Sequence, residues 1–468
     1  MTRPESGHVV DGVLFFHEDG TASWDSGTVA AVAPVEIVVG GGCVATVDPA
    51  NPRALLSWTL AADGDVDALA AALGDPGIAR VIERARAAGV DERVLASPWL
   101  VDAWSRYAAV AAARRWIMHP LDEGALLIDR AVAAFRVGRE LEAAALFVAG
   151  EDHLIDLGER CRDGEMPTTV VDLVREALDA ARECGADLRI EEIAAELDAY
   201  SAIGDEDLAV LMDDWRRAIA MVSDAGAAAH LGGGVVSLDE FIDITLIPPR
   251  IIAWRGASEP DLTVEYDSRS ATCVVRASLA AEVDPYCLEV RQLLIFAAGR
   301  DEGALVATAP MRLEHRSLVA VLPAMGVDPA DLVFGVLSAD TDPASLRVES
   351  VGRYLAEIDR TMIEIWGRNR AALARLRAVA VDAGEAQLTR ARDDYRTSIF
   401  AVRNSVDSVL DDLEQRLETV EIDAGSTDDR ALLIRARMEA VARYRVAVDD
   451  DRGVDPVLAE LLPPEVAA

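Results

Sequence analysis

Residues 388–420 read LTRARDDYRTSIFAVRNSVDSVLDDLEQRLETV. Apolar side chains recur at Leu388, Ala391, Tyr395, Ile399, Val402, Val406, Val409, Leu413, Leu417 and Val420, in steps of three and four. That spacing follows one face of a helix, so it predicts a single long helix with a seam close to a heptad repeat. Neither glycine nor proline interrupts it. Upstream, Leu355, Ile358, Met362, Ile365, Ala372, Leu376 and Val379 make a second stripe, and a third helix is expected from about Thr427 to Val448. Residues 350–448 therefore read as a C-terminal helical bundle or coiled coil.

Charge sets this segment apart. The chain of 468 residues carries 82 acidic and 45 basic side chains, a formal net charge of −37. Residues 350–448 hold 16 arginines against 17 acids, whereas residues 1–349 hold 28 against 59. The C-terminal helices are thus the large segment without strong self-repulsion, which suits them to packing against other helices. An intramolecular three-helix bundle would satisfy the seam. So would a dimer or a coiled coil with a partner.

Toward the N-terminus the pattern changes at Leu231-Gly232-Gly233-Gly234, where a glycine run ends an alanine-rich helical stretch. Residues 233–349 then read as short strands: Ile242–Ile247, Arg250–Trp254, Leu262–Tyr266, Thr272–Ala277, Leu288–Phe296, Leu305–Ala309, Met311–Val321, Leu332–Leu337 and Leu346–Glu349. Short spacing and polar turns predict an antiparallel β-sandwich-like domain. Residues 63–232 read as an all-helical domain of about eight helices, with no repeat period. Residues 1–62 read as a β-hairpin region, with turns at Glu18-Asp19-Gly20 and Gly40-Gly41-Gly42. Residues 449–468 read as a frayed acidic tail. The expected fold class is α+β and multidomain: N-terminal hairpins, an all-α bundle, a sandwich-like domain and a C-terminal long-helix bundle.

No lysine occurs, so all 45 basic residues are arginine. This excludes a phosphate-loop lysine, a Schiff base and a kinase-type lysine supplied by this chain. Three readings account for the replacement: a GC-rich coding genome, a salt-loving host, or avoidance of lysine-directed tagging by a ubiquitin-like modifier. The net charge repels nucleic acid and anionic membranes at long range. The opening MTRPESGHVVDG lacks a basic-then-apolar run, and the longest apolar stretch, Thr28–Val47, is broken by Pro34, Glu36 and three glycines. The expectation is a cytoplasmic protein with buried thiols.

Chemistry-bearing motifs are sparse. The histidines stand at 8, 17, 119, 153, 230 and 315, with no i, i+4 pair, and the five cysteines form no C-x-x-C. His153, Cys161 and Cys184 would make a partial zinc set without an evident fourth ligand. Asp63-Gly64-Asp65-Val66-Asp67 starts like a calcium loop but has Ala68 and Gly74 where glycine and glutamate are required. It reads better as the acidic start of a helix Val66–Leu73. Neither glycine run has dinucleotide-loop spacing, and there is no G-x-S-x-G. Trp99, Trp104 and Trp116 are expected on one helix as core bulk. No cofactor is expected.

One basic patch remains. Arg368, Arg370, Arg375 and Arg377 fall within ten residues of the first C-terminal helix. Arginine forks suit carboxylates or phosphates: the plentiful carboxylates are this protein's own or those of an acidic partner, and the further alternative is phosphate or nucleic acid. These observations predict a non-enzymatic scaffold or adaptor, acting through the sandwich and the C-terminal helices, as an accessory component of a bacterial multi-gene system. The contact residues would be Arg368, Arg370, Arg375, Arg377, Ile399, Val406 and Leu413, toward a protein partner or a second copy. The alternative is a hydrolase of unfamiliar type with dispersed Asp, Glu, His or Cys.

Overall fold

A computed structural model describes residues 10–88, 92–96, 99–185, 197, 203–224, 236–254, 256, 260–267, 271–280, 283–300, 303–323, 327–424, 427–448 and 455–463. The described residues form thirteen α-helices, single turns included, and three antiparallel sheets. The glycine run at 232–234, His8, His230 and the carboxylates at 449–451 lie outside them. The chain divides into two compact units. The first comprises residues 1–218 and 365–468, and the second residues 219–364.

The first unit contains a six-stranded antiparallel sheet of order β3-β4-β5-β2-β1-β6. Its strands are β1 (Val10–Phe16), β2 (Ala22–Asp25), β3 (Val35–Gly40), β4 (Cys43–Asp48), β5 (Asn51–Leu60) and β6 (Glu92–Ala96). Alternation places Val35, Ile37 and Val39 of β3 inward and Glu36 and Val38 outward. Trp24 and Trp58 face each other across β2 and β5 and are buried. The ring of Trp24 covers Gly12 of β1, where an added Cβ would fall 2.2 Å from Nε1. Gly41 has φ of +53°, its carbonyl accepts the Asp65 N–H at 2.6 Å, and a Cβ there would strike Asp65. Only glycine suits that turn.

Asp65 also caps helix α1 (Val66–Leu73). Its carboxylate accepts the N–H groups of Asp67 at 2.9 Å and Ala68 at 3.2 Å. The acidic-start reading of this stretch holds. After α2 (Ile78–Ala88), the short strand β6 pairs antiparallel with β1, so residues 63–232 are not helical throughout. Trp99 lies before helix α3 (Asp102–Trp116), in a bridge to Ala54, and not on the helix with Trp104 and Trp116.

The helical layer continues with α4 (Glu123–Arg136), α5 (Glu140–Ala149), α6 (Glu151–Arg162), α7 (Thr168–Glu183) and α8 (Asp205–Asp224). Pro167 precedes α7 and has no capping side chain, and Asp382 supplies one from far along the chain. Its carboxylate accepts Thr168 N–H at 2.8 Å and Thr168 Oγ1–H at 2.6 Å.

The second unit has two antiparallel sheets. Its strands are β7 (Val236–Glu240), β8 (Leu262–Asp267), β9 (Thr272–Ser278), β10 (Leu293–Gly299), β11 (Leu305–Pro310), β12 (Arg312–Glu314), β13 (Ser317–Pro323) and β14 (Leu332–Ser338). Five strands run in the order β12-β13-β9-β8-β7 and three in the order β11-β10-β14. Val264, Val275 and Leu318 of one sheet join Ile295, Phe334 and Val336 of the other in one buried cluster. Ile242–Ile247 is not a strand. Asp243 caps a 3-10 turn at Ile244–Leu246. Leu288–Phe296 splits into a helical turn, α9 (Leu288–Arg291), and the start of β10. Arg250–Trp254 contributes one bridge, Ile252 to Leu279, and 346–349 forms no strand.

The C-terminal region is helical, as the periodicity requires: α10 (Ser350–Val379), α11 (Glu385–Ala424), α12 (Asp429–Ala447) and the turn α13 (Leu458–Leu461). The division between units falls inside α10, at residue 364. The tail is not frayed in its described part. Val457, Leu458, Leu461 and Leu462 are buried, because the run PVLAELL is apolar despite the acidic residues before it.

Asp129 of α4 anchors that tail. Its buried carboxylate accepts the N–H groups of Leu458 at 3.0 Å and Ala459 at 2.9 Å, and Arg106 lies 3.7 Å away. Burial dominates and pushes its pKa up from 3.8 to about 6, against the pull of Arg106 and the two N–H groups. A folded pKa above the unfolded one means the folded state holds the proton more tightly. This contribution is full below about pH 4 and is lost as pH rises through 6. Asp129→Asn removes the titration. Relative to wild type, the variant should gain on the order of 3 kcal/mol between pH 4 and pH 8. Urea unfolding of both proteins across that range checks it, and a constant difference would refute it.

Candidate interaction surface on the C-terminal helices

Helices α11 and α12 pack antiparallel. Arg435 pairs with Glu421 near the closed end, and Arg445 Nε meets Asp407 at 2.8 Å farther along. The seam of α11 is buried: Ile399, Val402, Val406, Val409, Leu413, Leu417 and Val420 are all under 10 % exposed. Facing helix α12 buries Ala431, Ile434, Ala440, Val441 and Tyr444. The apolar periodicity is therefore satisfied within the chain. Ile399, Val406 and Leu413 are buried and do not face solvent.

Helix α12 is also tied to the N-terminal sheet region. Arg437, almost wholly buried, donates to the Ala30 carbonyl at 2.6 Å, and Arg443 donates to that of Val29 at 3.0 Å. These contacts use backbone acceptors in the loop between β2 and β3. A loop there has carbonyls that no strand partner claims.

The four arginines of α10 do not form one surface. Arg368 is exposed. Arg370 is buried and forks onto Glu460 of α13, with Nε to Oε1 at 2.7 Å and a second, shorter contact. Arg375 is half-buried, donates to the Ala371 carbonyl at 3.1 Å and reaches Ser398 of α11 at 3.5 Å. Its pKa is lowered by burial, partly offset by Asp394. Arg377 is half-buried too, and its carbonyl accepts a hydrogen bond from Thr169. Residues two apart on a helix point in different directions, which divides the patch.

The apolar side chains left in solvent lie off the seam. Phe400 and Ile422 of α11 are 63 % and 84 % exposed, and Leu432, Leu433 and Val446 of α12 are 50 %, 51 % and 70 % exposed. Ile422, Leu432 and Leu433 sit at the closed end of the hairpin, where α11 ends and α12 begins. They carry no periodic signal in the sequence, because the 3.6-residue period picks out the residues that pack inward.

The other sequence candidates resolve into structure. His153 Nε2 lies 2.9 Å from Asp122, which caps α4 through Ala125 N–H. Burial raises the Asp122 pKa, but His153 and that N–H outweigh it, and the net shift is downward. Cys161 is buried, which pushes its thiol up to about 12. Among the described residues no group of three or more His, Cys, Asp or Glu is placed to hold a metal ion, and no helix is long and apolar enough to cross a membrane. Comparison with protein-family models, with curated proteins and with solved structures returns no match.

Proposed function

We propose that the protein is a non-enzymatic scaffold or adaptor of the cytoplasm, and that it meets a protein partner through the outward side of the α11–α12 hairpin. The carrying observation is that Ile422, Leu432 and Leu433 stay in solvent at the closed end of a hairpin whose seam is already filled. Large apolar side chains grouped in this way mark interaction surfaces in a chain otherwise dominated by repelling charge. The two sheets of the second unit, read as a sandwich-like module, offer a second docking element in the same reading.

The double variant Ile422→Asp/Leu433→Asp tests it. Both positions are exposed, so secondary structure and melting temperature should hold. Wild type should recover a stoichiometric partner from its native lysate, or self-associate by light scattering, and the variant should lose at least about tenfold in that association. A variant that associates as wild type does would refute the reading. A wild-type chain that comes down alone and runs as a monomer would refute it too.

A further inference from the structure

A cleft of about 590 Å³ opens in the first unit, within the size range of small-molecule sites. Four arginines from four elements line it: Arg53 of β5, Arg106 of α3, Arg136 of α4 and Arg370 of α10. Two carboxylates, Asp102 and Asp455, share the lining. Four arginines against two acids reverses the balance of a chain with 45 basic and 82 acidic residues. From these observations we infer that the cleft binds a small polyanion of the phosphate-ester or pyrophosphate class.

The way these arginines are held supports the assignment. The carboxylates that anchor three of them stand outside the lining. Glu176 holds Arg136, Asp129 lies 3.7 Å from Arg106, and Glu460 holds Arg370. Arg106 is fixed further by donating to the carbonyls of Asp455 and Pro456, both at 3.2 Å. A guanidinium has five N–H donors and one carboxylate engages two at most, so the pair with Glu176 orients Arg136 without using its whole fork. The fourth, Arg53, pairs with Asp102 at 3.0 Å at the rim, where both side chains are more than half exposed. That pair is weak enough for an incoming phosphate to displace the carboxylate. Asn369 and Tyr444, joined at 3.3 Å, add neutral hydrogen-bonding groups to the wall.

A second cavity shows the contrast. In the second unit about 290 Å³ is lined by Arg300, Arg347, Arg353 and Arg360, but Glu240, Asp243 and Glu357 stand in the same lining, and the first two pair with Arg300 and Arg347 there. Three carboxylates against four arginines leave that lining closer to neutral. The net charge of −37 also selects for size: a long polyanion meets repulsion along the whole surface, whereas a small one meets only the local field of the cleft.

The test is titration of the full chain with inorganic pyrophosphate at low ionic strength, read by calorimetry and by melting temperature. Wild type should bind with defined stoichiometry and melt higher in proportion to occupancy. Arg53→Ala/Arg136→Ala should fold normally, since both side chains are about half exposed, and should bind at least about tenfold more weakly. Arg396→Ala, at an exposed arginine of α11 paired with Asp393, should bind as wild type does. The inference is overturned if wild type does not bind, if the double variant binds equally, or if sodium chloride of matched ionic strength reproduces the shift in melting temperature.

Discussion

Arg370→Ala should be the most damaging single change in the first unit. The side chain forks onto Glu460, and both residues are buried, at 9 % and 2 % exposure. Burial alone would lower the Arg370 pKa, but the Glu460 charge and hydrogen bonds outweigh it, and the net shift is upward. Glu460 additionally accepts the Val457 N–H at 2.8 Å, which starts the helical turn of the tail. Removing the guanidinium leaves a carboxylate buried without its counter-charge, and such losses cost about 3–5 kcal/mol. The tail should detach from α4 and α7, and limited proteolysis should cut the variant after residue 448 while wild type resists. Replacing both partners by apolar residues, as in Arg370→Met/Glu460→Leu, should recover most of the stability, because no charge is then left unpaired. If Arg370→Ala melts like wild type and resists the protease, the pair does not hold the tail.

Arg347→Ala should do comparable damage to the second unit. One guanidinium bridges two carboxylates there. Nε and Nη2 each meet Asp243 at 2.7 Å, and Nη1 meets Asp359. Asp243 and Asp359 are 13 % and 3 % exposed. Burial raises the Asp243 pKa, but the Arg347 hydrogen bonds and charge outweigh it, and the group ends below its usual 3.8. A depressed pKa adds stability that is present above the unfolded value and lost as pH falls through the folded one. Without Arg347, Asp243 keeps only its hydrogen bonds from Thr245 to offset burial, so its pKa should rise. The penalty should be about 3–5 kcal/mol at pH 7 and should shrink toward pH 4 as Asp243 takes up a proton. Denaturant melts of both proteins at the two pH values check it. A penalty independent of pH would mean that Arg347 acts by packing alone.

The long helices were readable because their cause is local. Ile399, Val406 and Leu413 recur at the period of the helix that buries them, and Asp65 caps the helix that follows it. What failed was non-local. Ile242–Ile247 has strand-like composition, yet Asp243 is committed to Arg347, a residue 104 positions away, and the backbone turns to allow it. Strand β6 is five residues long between two helices, and its partner β1 lies at the other end of the sheet region. The tail looked acidic on average, but its buried portion carries a single acid, Glu460, whose partner is ninety residues upstream. The same distance hid the cleft. Arg53, Arg106, Arg136 and Arg370 share no motif, and only folding brings them to one wall. For the hairpin surface, the periodicity that revealed the helices pointed to the buried side, and the exposed residues Ile422 and Leu433 were legible only as exceptions to it.

The first unit is written in two instalments, residues 1–218 and 365–468, with the second unit between them. A ribosome delivers the earlier instalment well before the later one. During that interval α4 and α7 lack the tail that will cover them, and the loop carbonyls of Val29 and Ala30 lack the arginines of α12. The second unit, continuous in sequence, can complete itself as it emerges. The first cannot do so until residues 457–462 are out, because Val457, Leu458 and Glu460 belong to its interior. Completion of the first unit therefore waits on synthesis of the whole second unit. A chain cut off between residues 364 and 457 would carry exposed apolar surface on its first unit, a substrate for chaperones and proteases rather than a shortened working protein.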